Sequence, residues 1–375
     1  MHLLLKAGHH HRYYAPVWIP LAEKPAGLPE DWQGRIDAGY GTGLVSCQGA
    51  TLPAQVVSTK EGKFLVLTVP WMEAGSESVC EFVPGEADIP GVRLIDRGKS
   101  LELRIQDRLF TEYVYGGYAK PFWGPIAAPG VDSSITRLDL QTKEHPHQRS
   151  LWFSHGDVNG IDCWNEPAER YGKEIHQSFT HQTDGGVVGY FASENTWTDF
   201  AGQPLMDDHR SMALYNLWEG QRMMDLSLTL RATYGPVKLG ATKEAGPLGV
   251  RVAPEMTVKS GGRVVNAFGA INEAECWGRR SPWCDYSGTV DGHAVGIAIF
   301  DHAENEDHPT FWHVRDYGLF SGNNFHFLGE RSLEAGERVT YRYRVLFHAG
   351  DCDRAHVATR YHDYANPAKA VLKCS

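Results

Sequence analysis

The sequence predicts an all-β protein built mainly from a large antiparallel β-sandwich. Apolar and polar residues alternate along residues 224–231 and again along residues 339–347, which is the pattern of antiparallel strands with one buried face. Forty glycines, twenty prolines and 11% aromatic residues are typical of many short strands joined by turns. Only residues 353–364 have the pattern of a helix, and Asn366-Pro367 ends it.

The chain is predicted to divide into a small N-terminal β domain, residues 1–88, and a large β-sandwich domain, residues 89–375, that carries the site. The apolar run 64–69 follows a turn and indicates a strand of the small domain. Residues 84–91, PGEADIPG, then interrupt the strand pattern with two Pro-Gly signals. A long loop inside one domain would have the same composition, so that alternative stays open.

Composition excludes several partners. The formal net charge of −10 argues against nucleic-acid or anionic-membrane partners, because phosphate binding needs clustered Lys and Arg. No apolar run approaches the roughly 18 residues of a membrane span, and the N-terminal apolar run is too short for a secretory signal. The seven cysteines include no CxxC pair and favour reduced thiols. We therefore expect a cytoplasmic protein with a small-molecule or oligosaccharide substrate, and a homo-oligomer stays open.

Residues 144–164, EHPHQRSLWFSHGDVNGIDCW, are unusually rich in functional groups. A histidine before proline is pushed out of the helical region into an extended conformation. If the segment continues as a strand, side chains alternate, so that His145, His147 and Arg149 share one face. Two imidazoles and a guanidinium side by side are not typical of a core strand. The segment is therefore predicted to be the centre of an active site.

Three further segments carry matching groups: residues 276–288, 301–324 and 242–251. In the second of them, His313 and Arg315 alternate onto one strand face and repeat the His/Arg pairing of the first segment. The third offers three ionisable groups around a turn: Lys243, Glu244 and Arg251. We expect the segments around Asp285 and His313 to converge on His145 and His147.

General acid–base catalysis on a sugar is the favoured interpretation. Imidazoles titrate near neutral pH and exchange protons readily, while aromatic faces and Asn, Asp and Arg side chains suit the two sides of a sugar. The predicted catalytic residues are His145, His147, His313 and Asp157. The predicted substrate-binding residues are Arg149, Trp152, Asp162, Trp164, Asp285, Arg315 and Asn323.

Two alternatives stay open. His145 and His147 are two residues apart, which suits one divalent metal ion held on a strand, with another His or Asp completing the shell. Arg149 on the same face counts against this site, because a guanidinium beside a cation is costly. In the other alternative, many of the 18 histidines are structural and residues 156–160 form only a turn. The chain has no nucleotide-binding glycine motif and no G-x-S-x-G elbow.

Several segments resemble motifs of a bacterial protein family that carries the name "methane oxygenase PmoA". Residues 144–153 and 156–162 are similar to its first motif, and residues 283–288 and 308–320 to two later ones. The chain departs from the first motif at three positions: Glu144, Gln148 and Cys163. Since the family usually has a second tandem histidine where this chain has glutamine, position 148 is not expected to be an essential proton carrier or ligand.

The resemblance implies a soluble β-sandwich protein of carbohydrate catabolism, with a fold like the galactose-mutarotase supersandwich. The oxygenase name denotes the activity of a membrane protein, which a chain without a spanning segment is not expected to have. We therefore predict a carbohydrate-active enzyme, namely a lyase, hydrolase or epimerase acting on a glycoside, uronate or oxidised sugar. Arg149 and Arg315 would hold oxyanions or a carboxylate. The competing class is a non-catalytic sugar-binding or sensor sandwich, which needs aromatic faces but not the histidines.

Overall fold

The alternating segments assemble into three large antiparallel sheets in the computed structural model. Strands make up 54% and helices 7% of the residues that the structure describes, so the prediction of an all-β fold is confirmed. The structure describes residues 1–21, 34, 41–47, 50–85, 90–138, 143–168, 170–217 and 221–373.

The strands of the first half are β1 (His2–Lys6), β2 (Arg12–Pro20), β3 (Thr42–Cys47), β4 (Ala50–Thr59), β5 (Gly62–Met72), β6 (Glu77–Pro84), β7 (Val92–Asp96), β8 (Ser100–Ile105), β9 (Arg108–Val114), β10 (Phe122–Ile126), β11 (Leu151–Phe153), β12 (Lys173–Thr183) and β13 (Val188–Thr198). Those of the second half are β14 (Pro204–Tyr215), β15 (Gln221–Arg231), β16 (Val237–Leu239), β17 (Leu248–Arg251), β18 (Arg263–Asn266), β19 (Trp283–Val290), β20 (His293–Asp301), β21 (Trp312–Val314), β22 (Leu319–Gly322), β23 (Arg331–Leu333), β24 (Arg338–Ala349) and β25 (Lys369–Lys373). The described helices are α1 (Asn272–Cys276), α2 (Phe325–Leu328) and α3 (Val357–Ala365), with 3₁₀ turns at Pro254–Met256 and Val258–Ser260.

Two eight-stranded sheets face each other and form the large sandwich. We call them the site sheet, with strand order β21-β22-β17-β11-β10-β9-β8-β7, and the central sheet, with strand order β12-β13-β14-β15-β24-β20-β19-β18. They share one core, to which the site sheet contributes Leu151 and Phe320 and the central sheet contributes Leu228 and Val345. The apolar sides of β15 and β24 face this core, as their alternation predicts. The prediction of a large antiparallel sandwich is confirmed.

The third sheet, which we call the small sheet, combines the N-terminal strands with β25. Its order is β2-β5-β4-β3-β6-β1-β25, and it curls until β2 contacts β25. Neighbouring residues of β4 serve two cores: Val56 points into the core of the small sheet, whereas Val57 packs with Leu346 on the outer face of the central sheet. The predicted boundary between residues 88 and 89 lies outside the described residues, so this division stays a prediction.

The predicted C-terminal helix forms as α3, but it begins later than predicted. Residues 353–356 form turns and His356 has φ 52°, so the regular helix starts at Val357. The ring of Tyr364 lies 6.2 Å from that of Phe300. The small sheet and α3 therefore both pack on the outer face of the central sheet, whereas the outer face of the site sheet is covered by loops.

Cys47 of β3 and Cys80 of β6 lie directly opposite each other and form a disulfide. The expectation of reduced thiols is therefore wrong for this pair, because cysteine spacing does not reveal which strands become neighbours. The expectation of a cytoplasmic protein loses the support that it took from the cysteines. Cys374 lies outside the described residues, and the free thiols within them are Cys163, Cys276, Cys284 and Cys352. Among the described helices, none is long and apolar enough to cross a membrane.

Three charged side chains are fully buried inside the sandwich. Arg210 Nη2 lies 2.6 Å from Asp208 Oδ2 on its own strand and 2.6 Å from Glu174 Oε2 on β12. Trp197 Nε1 donates a further hydrogen bond to Asp208 at 2.5 Å, and burial raises the pKa of Glu174 to about 7. Removing ions from water costs several kcal/mol each, which only mutual pairing offsets. The triad therefore needs all three members.

The substitution Arg210→Ala is expected to lower the free energy of unfolding by about 3–5 kcal/mol, because it leaves two buried carboxyl groups without a counter-charge. Urea unfolding followed by circular dichroism measures the loss. The matched control is Arg338→Ala, since Arg338 is exposed at the start of β24, and it should change stability by less than about 0.5 kcal/mol. Similar losses in both variants would contradict the role assigned to the triad.

Candidate functional site

The candidate site lies on the outer face of the site sheet, which points away from the sandwich core. Trp152, Gly249, Ser321 and His313 form one row across β11, β17, β22 and β21 on this face. The adjacent residue of each strand points inward, as Val250 does in β17. The loops before and after β11 and the loop before β17 fold over this row and bring the polar groups together.

His145 is the most accessible of the predicted catalytic histidines, with a side chain that is 42% exposed. Its Nδ1 lies 2.6 Å from Glu144 Oε1 and is the donor, because a carboxylate only accepts. Its ring stacks on Tyr317 at 5.2 Å with the planes 14° apart. Its backbone has φ 48°, a strained conformation for a non-glycine residue, and Arg137 donates to its carbonyl oxygen. These contacts fix the imidazole and leave Nε2 as the proton acceptor.

Glu144 is held between two arginines. Its Oε2 accepts hydrogen bonds from Arg137 Nη1 at 2.6 Å and from Arg251 Nη2 at 2.9 Å. Burial acts to raise the pKa of Glu144, but the hydrogen bond from His145 and the charges of the two arginines lower it overall. Glu144 is therefore ionised at neutral pH and can stabilise a protonated His145.

His147 and Arg149 do not share a strand face with His145, contrary to the expectation from alternation. Residues 145–148 form a turn, in which the residue 148 N–H donates to the His145 carbonyl oxygen at 3.0 Å, and β11 begins only at Leu151. Proline fixes a φ that suits a turn as well as a strand. The sequence therefore placed the strand several residues too early.

A second carboxylate, Glu166, is also held between two cations. It accepts hydrogen bonds from Lys120 Nζ and Arg149 Nη2, each at 2.7 Å. Burial acts to raise the pKa of Glu166, but Arg149 and Lys120 lower it to about 2. His147 is buried nearby, and burial together with the Lys120 charge lowers its pKa to about 3. His147 is thus neutral at physiological pH, and Arg149 is engaged in an ion pair.

Buried polar side chains anchor the loop that precedes β17. His313 Nδ1 and Asn323 Nδ2 donate hydrogen bonds to the Lys243 carbonyl oxygen at 2.7 and 2.9 Å. Ser321 Oγ donates to the carbonyl oxygen two residues later at 2.8 Å. His313 and Asn323, predicted as a catalytic and a substrate-binding residue, are therefore braces of this loop.

The anchored loop presents Glu244. The Gly156 N–H donates to the Glu244 carbonyl oxygen at 2.7 Å, and a Cβ at position 156 would lie 2.7 Å from that oxygen, so this contact requires glycine. The Glu244 side chain is 20% exposed, and the Nζ of the exposed Lys243 lies 3.7 Å from its Oε1. Burial raises the pKa of Glu244, although Lys243, His145 and Arg315 lie close enough to oppose the rise.

Arg315 lies at the rim of the same site. Its Nε donates to His313 Nε2 at 3.2 Å and its Nη1 to Glu273 Oε1 at 2.6 Å. Its guanidinium lies 5.6 Å from the ring centre of Trp277, which is half-buried. Both ring nitrogens of His313 are therefore occupied, and burial lowers the pKa of His313 to about 4. This histidine positions its neighbours and has no free nitrogen for a substrate.

Asp157 and Asp162 stabilise turns. Asp157 Oδ1 accepts a hydrogen bond from the Gly160 N–H at 2.8 Å. Asp162 Oδ1 accepts bonds from two following backbone N–H groups at 2.9 and 2.8 Å. This geometry agrees with the turn alternative for residues 156–160. Asp162 nevertheless lies close enough to Glu244 to affect its pKa, so it remains part of the site surroundings.

Trp152 and Trp164 are fully buried and do not open to solvent. Their rings meet edge to face at 5.1 Å and pack with Phe122 and Leu319. Gly249 makes this packing feasible, because a Cβ there would lie 2.9 Å from both indoles. The two tryptophans, which the sequence predicts to contact the substrate, therefore pack beneath the site.

Asp285 lies on the far side of the sandwich. It belongs to β19 of the central sheet and pairs with Ala298, which faces the outer core beneath the small sheet. Its Oδ2 lies 2.7 Å from His348 Nε2, and both side chains are fully buried. The sandwich core separates this pair from His145. The expected convergence of Asp285 on the histidines is therefore not found.

Metal ligands are sparse around the two histidines. The His145 and His147 rings lie 5.8 Å apart and almost perpendicular. Within the described ranges, no group of three or more His, Cys, Asp or Glu side chains is arranged to hold a metal ion. The metal alternative thus lacks a third protein ligand in this part of the chain.

A cleft of about 860 Å³ adjoins the site. It is lined by Glu144, Arg251 and Tyr317 on the side of His145 and by Glu273 on the side of Arg315. The guanidinium of Arg251 lies 4.4 Å from the ring centre of Tyr317. The cleft therefore shares its walls with the groups that hold the imidazole and the guanidinium.

The sequence did not single out several residues that matter in this geometry: Lys120, Glu166, Glu273 and Tyr317. Glu244 was noted only as one ionisable group around a turn. One usable signal was present, because Lys120 stands alone in the aromatic segment YAKPFW and a lysine is almost never fully buried unless it is paired. The partners of the others come from distant parts of the chain, which periodicity does not connect.

Comparison with known proteins shows which family the chain belongs to. No curated protein matches the chain. Among solved structures, it is similar to a double variant of the GH36 α-galactosidase AgaA from Geobacillus stearothermophilus in complex with raffinose, at 11% identity and a TM-score of 0.38, covering 70% of this chain and 41% of that one. The chain thus spans less than half the length of that enzyme. A model described as a family of unknown function, DUF6807, matches residues 100–362, and the chain belongs to this family.

Proposed function

We propose that the protein is a carbohydrate-active enzyme that uses Glu244 and His145 as an acid–base pair on a glycoside, uronate or oxidised sugar. One observation carries the proposal: the Glu244 backbone and the His145 ring are held by fixed contacts, both side chains are partly accessible, and they lie within electrostatic reach of each other. Oriented and partly accessible carboxyl and imidazole groups that lie near each other are typical of acid–base sites.

Glu244 is suited to donate a proton. Because burial raises its pKa, more of it is protonated near neutral pH than of an ordinary glutamate. Its anchored backbone keeps the carboxyl in one place, so little reorganisation is needed when the proton moves to a ring or leaving-group oxygen.

His145 is suited to remove a proton. Its Nδ1 is bound to the ionised Glu144, so Nε2 can accept a proton while the carboxylate stabilises the resulting imidazolium. One proton therefore enters the substrate from Glu244 and another leaves to His145. This exchange serves the proposed lyase, hydrolase or epimerase chemistry.

Arg315 and Lys243 supply the positive charge. Arg315 is fixed by Glu273 and His313, so it is ready to hold a carboxylate or a developing oxyanion. Trp277 beside it offers an aromatic surface to the C–H side of a sugar ring. The adjoining cleft has the size of a small-molecule site.

Neither His147 nor His313 keeps the catalytic role that the sequence predicts for it. His147 and His313, with pKa values near 3 and 4, are neutral at physiological pH and are weak bases for catalysis. At this site a sugar sensor is less well supported, because Trp152 and Trp164, the substrate contacts that the sequence predicts, are buried and cannot stack on a sugar. What distinguishes the site is the orientation of its ionisable groups.

Glu244→Gln and His145→Ala are each expected to lower kcat by about 10²–10⁴-fold, because each removes one proton-transfer group, while sugar binding persists. The rate of the native protein should fall as pH rises through the raised pKa of Glu244, since the ionised carboxylate cannot donate. Product formation from a panel of glycosides and uronate-containing disaccharides is followed by ¹H NMR, and binding by calorimetry.

The matched control is Glu334→Gln, in which an exposed glutamate away from the site is changed in the same way, and its kcat should stay within twofold of the native value. If a sugar is turned over and the two site variants keep the native rate, the acid–base assignment fails. If sugars bind but none is turned over by the native protein, the sensor class is correct instead.

Asn323→Leu tests the loop anchor. It removes hydrogen bonds to two carbonyl groups and should cost about 1–3 kcal/mol of stability. Amide hydrogen exchange in residues 242–246 should accelerate, and kcat should fall more than binding because Glu244 loses its fixed position. Gln203→Leu on an exposed turn should leave both measurements unchanged. Unaltered exchange in Asn323→Leu would show that the loop does not depend on this anchor.

A further inference from the structure

A second cleft lies at the junction of the small sheet and the central sheet, on the opposite side of the sandwich from Glu244. It has a volume of about 690 Å³, which is within the range of small-molecule sites. We call it the junction cleft. Its walls come from the small sheet and from α3, and its floor is the outer face of the central sheet. No group of the proposed acid–base site lines it.

Small and polar side chains form the floor. Ser211 and Ser227 are paired directly across β14 and β15, and Ala213 is paired with Asp225 in the next row. Both serines are half-buried. This part of the sheet therefore keeps an open space and offers two hydroxyl groups and a carboxylate as hydrogen-bonding groups.

Aromatic rings form the walls. On one side, Trp18 meets Phe64 at 5.7 Å and Tyr190 at 6.3 Å, both nearly edge to face. On the other side, His302 meets Tyr364 at 5.0 Å. Two aromatic walls above a hydrogen-bonding floor suit a ligand with apolar faces and polar edges, which describes a pyranose ring.

The polar groups of the floor are held in place. Trp18 Nε1 donates to Tyr215 Oη at 2.9 Å, and Tyr215 Oη donates to Asp225 Oδ2 at 2.7 Å. Arg344 Nε and Nη2 complete the network with bonds to Asp225 at 2.6 and 2.8 Å. This chain of hydrogen bonds joins the aromatic wall of the small sheet to the carboxylate of the central sheet.

The charged side chains of the cleft already have partners. Asp225 is paired with Arg344, which lies directly opposite it on β24. Arg342 Nη1 lies 3.5 Å from Glu304 Oε2, and Glu61 lies beside Lys60. A charged ligand would have to break one of these pairs, whereas an uncharged ligand can accept hydrogen bonds without disturbing them.

We propose that the junction cleft is a non-catalytic binding site for a neutral saccharide. The sugar ring stacks against Trp18 and its hydroxyl groups contact Ser211, Ser227 and Asp225. The site is separate from the proposed acid–base chemistry and does not depend on it. Its position between two sheets lets a bound oligosaccharide hold the small sheet against the sandwich.

The test places a large side chain on the floor of the junction cleft, so that the ring occupies the space of the ligand. Ser227→Phe and Ser211→Phe each place a ring in the open space, and the matched control Ser178→Phe makes the same change on an exposed position of the edge strand β12. Binding of maltotriose, cellotriose and lactose is measured by saturation-transfer NMR, with glucuronate as the charged probe. All variants carry Glu244→Gln, which prevents turnover. Because Glu244→Gln still binds sugar at the acid–base site, binding in the cleft is taken from the shift of the Trp18 indole signal. The sugar concentration at its midpoint should rise at least about tenfold in the two cleft variants and stay unchanged in the control.

A direct measurement covers the case in which a filled variant does not fold, as judged by circular dichroism. In the native protein with ¹⁵N-labelled tryptophan, the Trp18 indole signal, assigned with Trp18→Phe, should shift on addition of the neutral sugar. The proposal is overturned if no neutral sugar of the panel shifts this signal, if both folded variants bind as well as the control, or if glucuronate alone binds in the cleft.

Discussion

The candidate site depends on the alternation of inward and outward side chains along the strands of the site sheet. Every second side chain of a strand is buried in the sandwich core, so the side chains between them point outward. His313 and Ser321 lie on the outward side, while their neighbours Val314 and Phe320 are buried in the core. A slip by one residue would exchange these sets and bury the imidazole in an apolar core. The packing of the sandwich therefore fixes where the loop anchors stand.

Three carboxylates near the site differ in their surroundings, and these differences separate their roles. Glu144 and Glu166 each lie between two cations, which lower the pKa of both. The charges of Lys243, at 3.7 Å, of His145 and of Arg315 act to lower the pKa of Glu244, but burial outweighs them and raises it. Groups of one chemical type thus become two ionised counter-ions and one carboxyl group with a raised pKa, because environment sets the protonation state.

Alternation along single strands predicted much of the fold, because burial of one face is a local property of the chain. The buried faces of β15 and β24 follow from it directly. It also predicted that His313 and Arg315 lie near each other. It could not predict that Asp285 lies beyond the sandwich core, since the relative position of two sheets depends on contacts between distant segments. The surroundings of Glu244 could not be predicted for the same reason, because the residues near it come from three separate loops.

The closure of the small sheet by β25 ties the two ends of this chain together. Strand β1 is paired on one side with β6 and on the other with residues 369–373. During synthesis the six preceding strands of that sheet emerge long before their last neighbour. The edge of β1 that later pairs with β25 keeps its backbone N–H and C=O groups unpaired while the strands of the sandwich are synthesised. Such an edge can pair with strands of other chains. The small sheet is thus begun before the sandwich and completed after it.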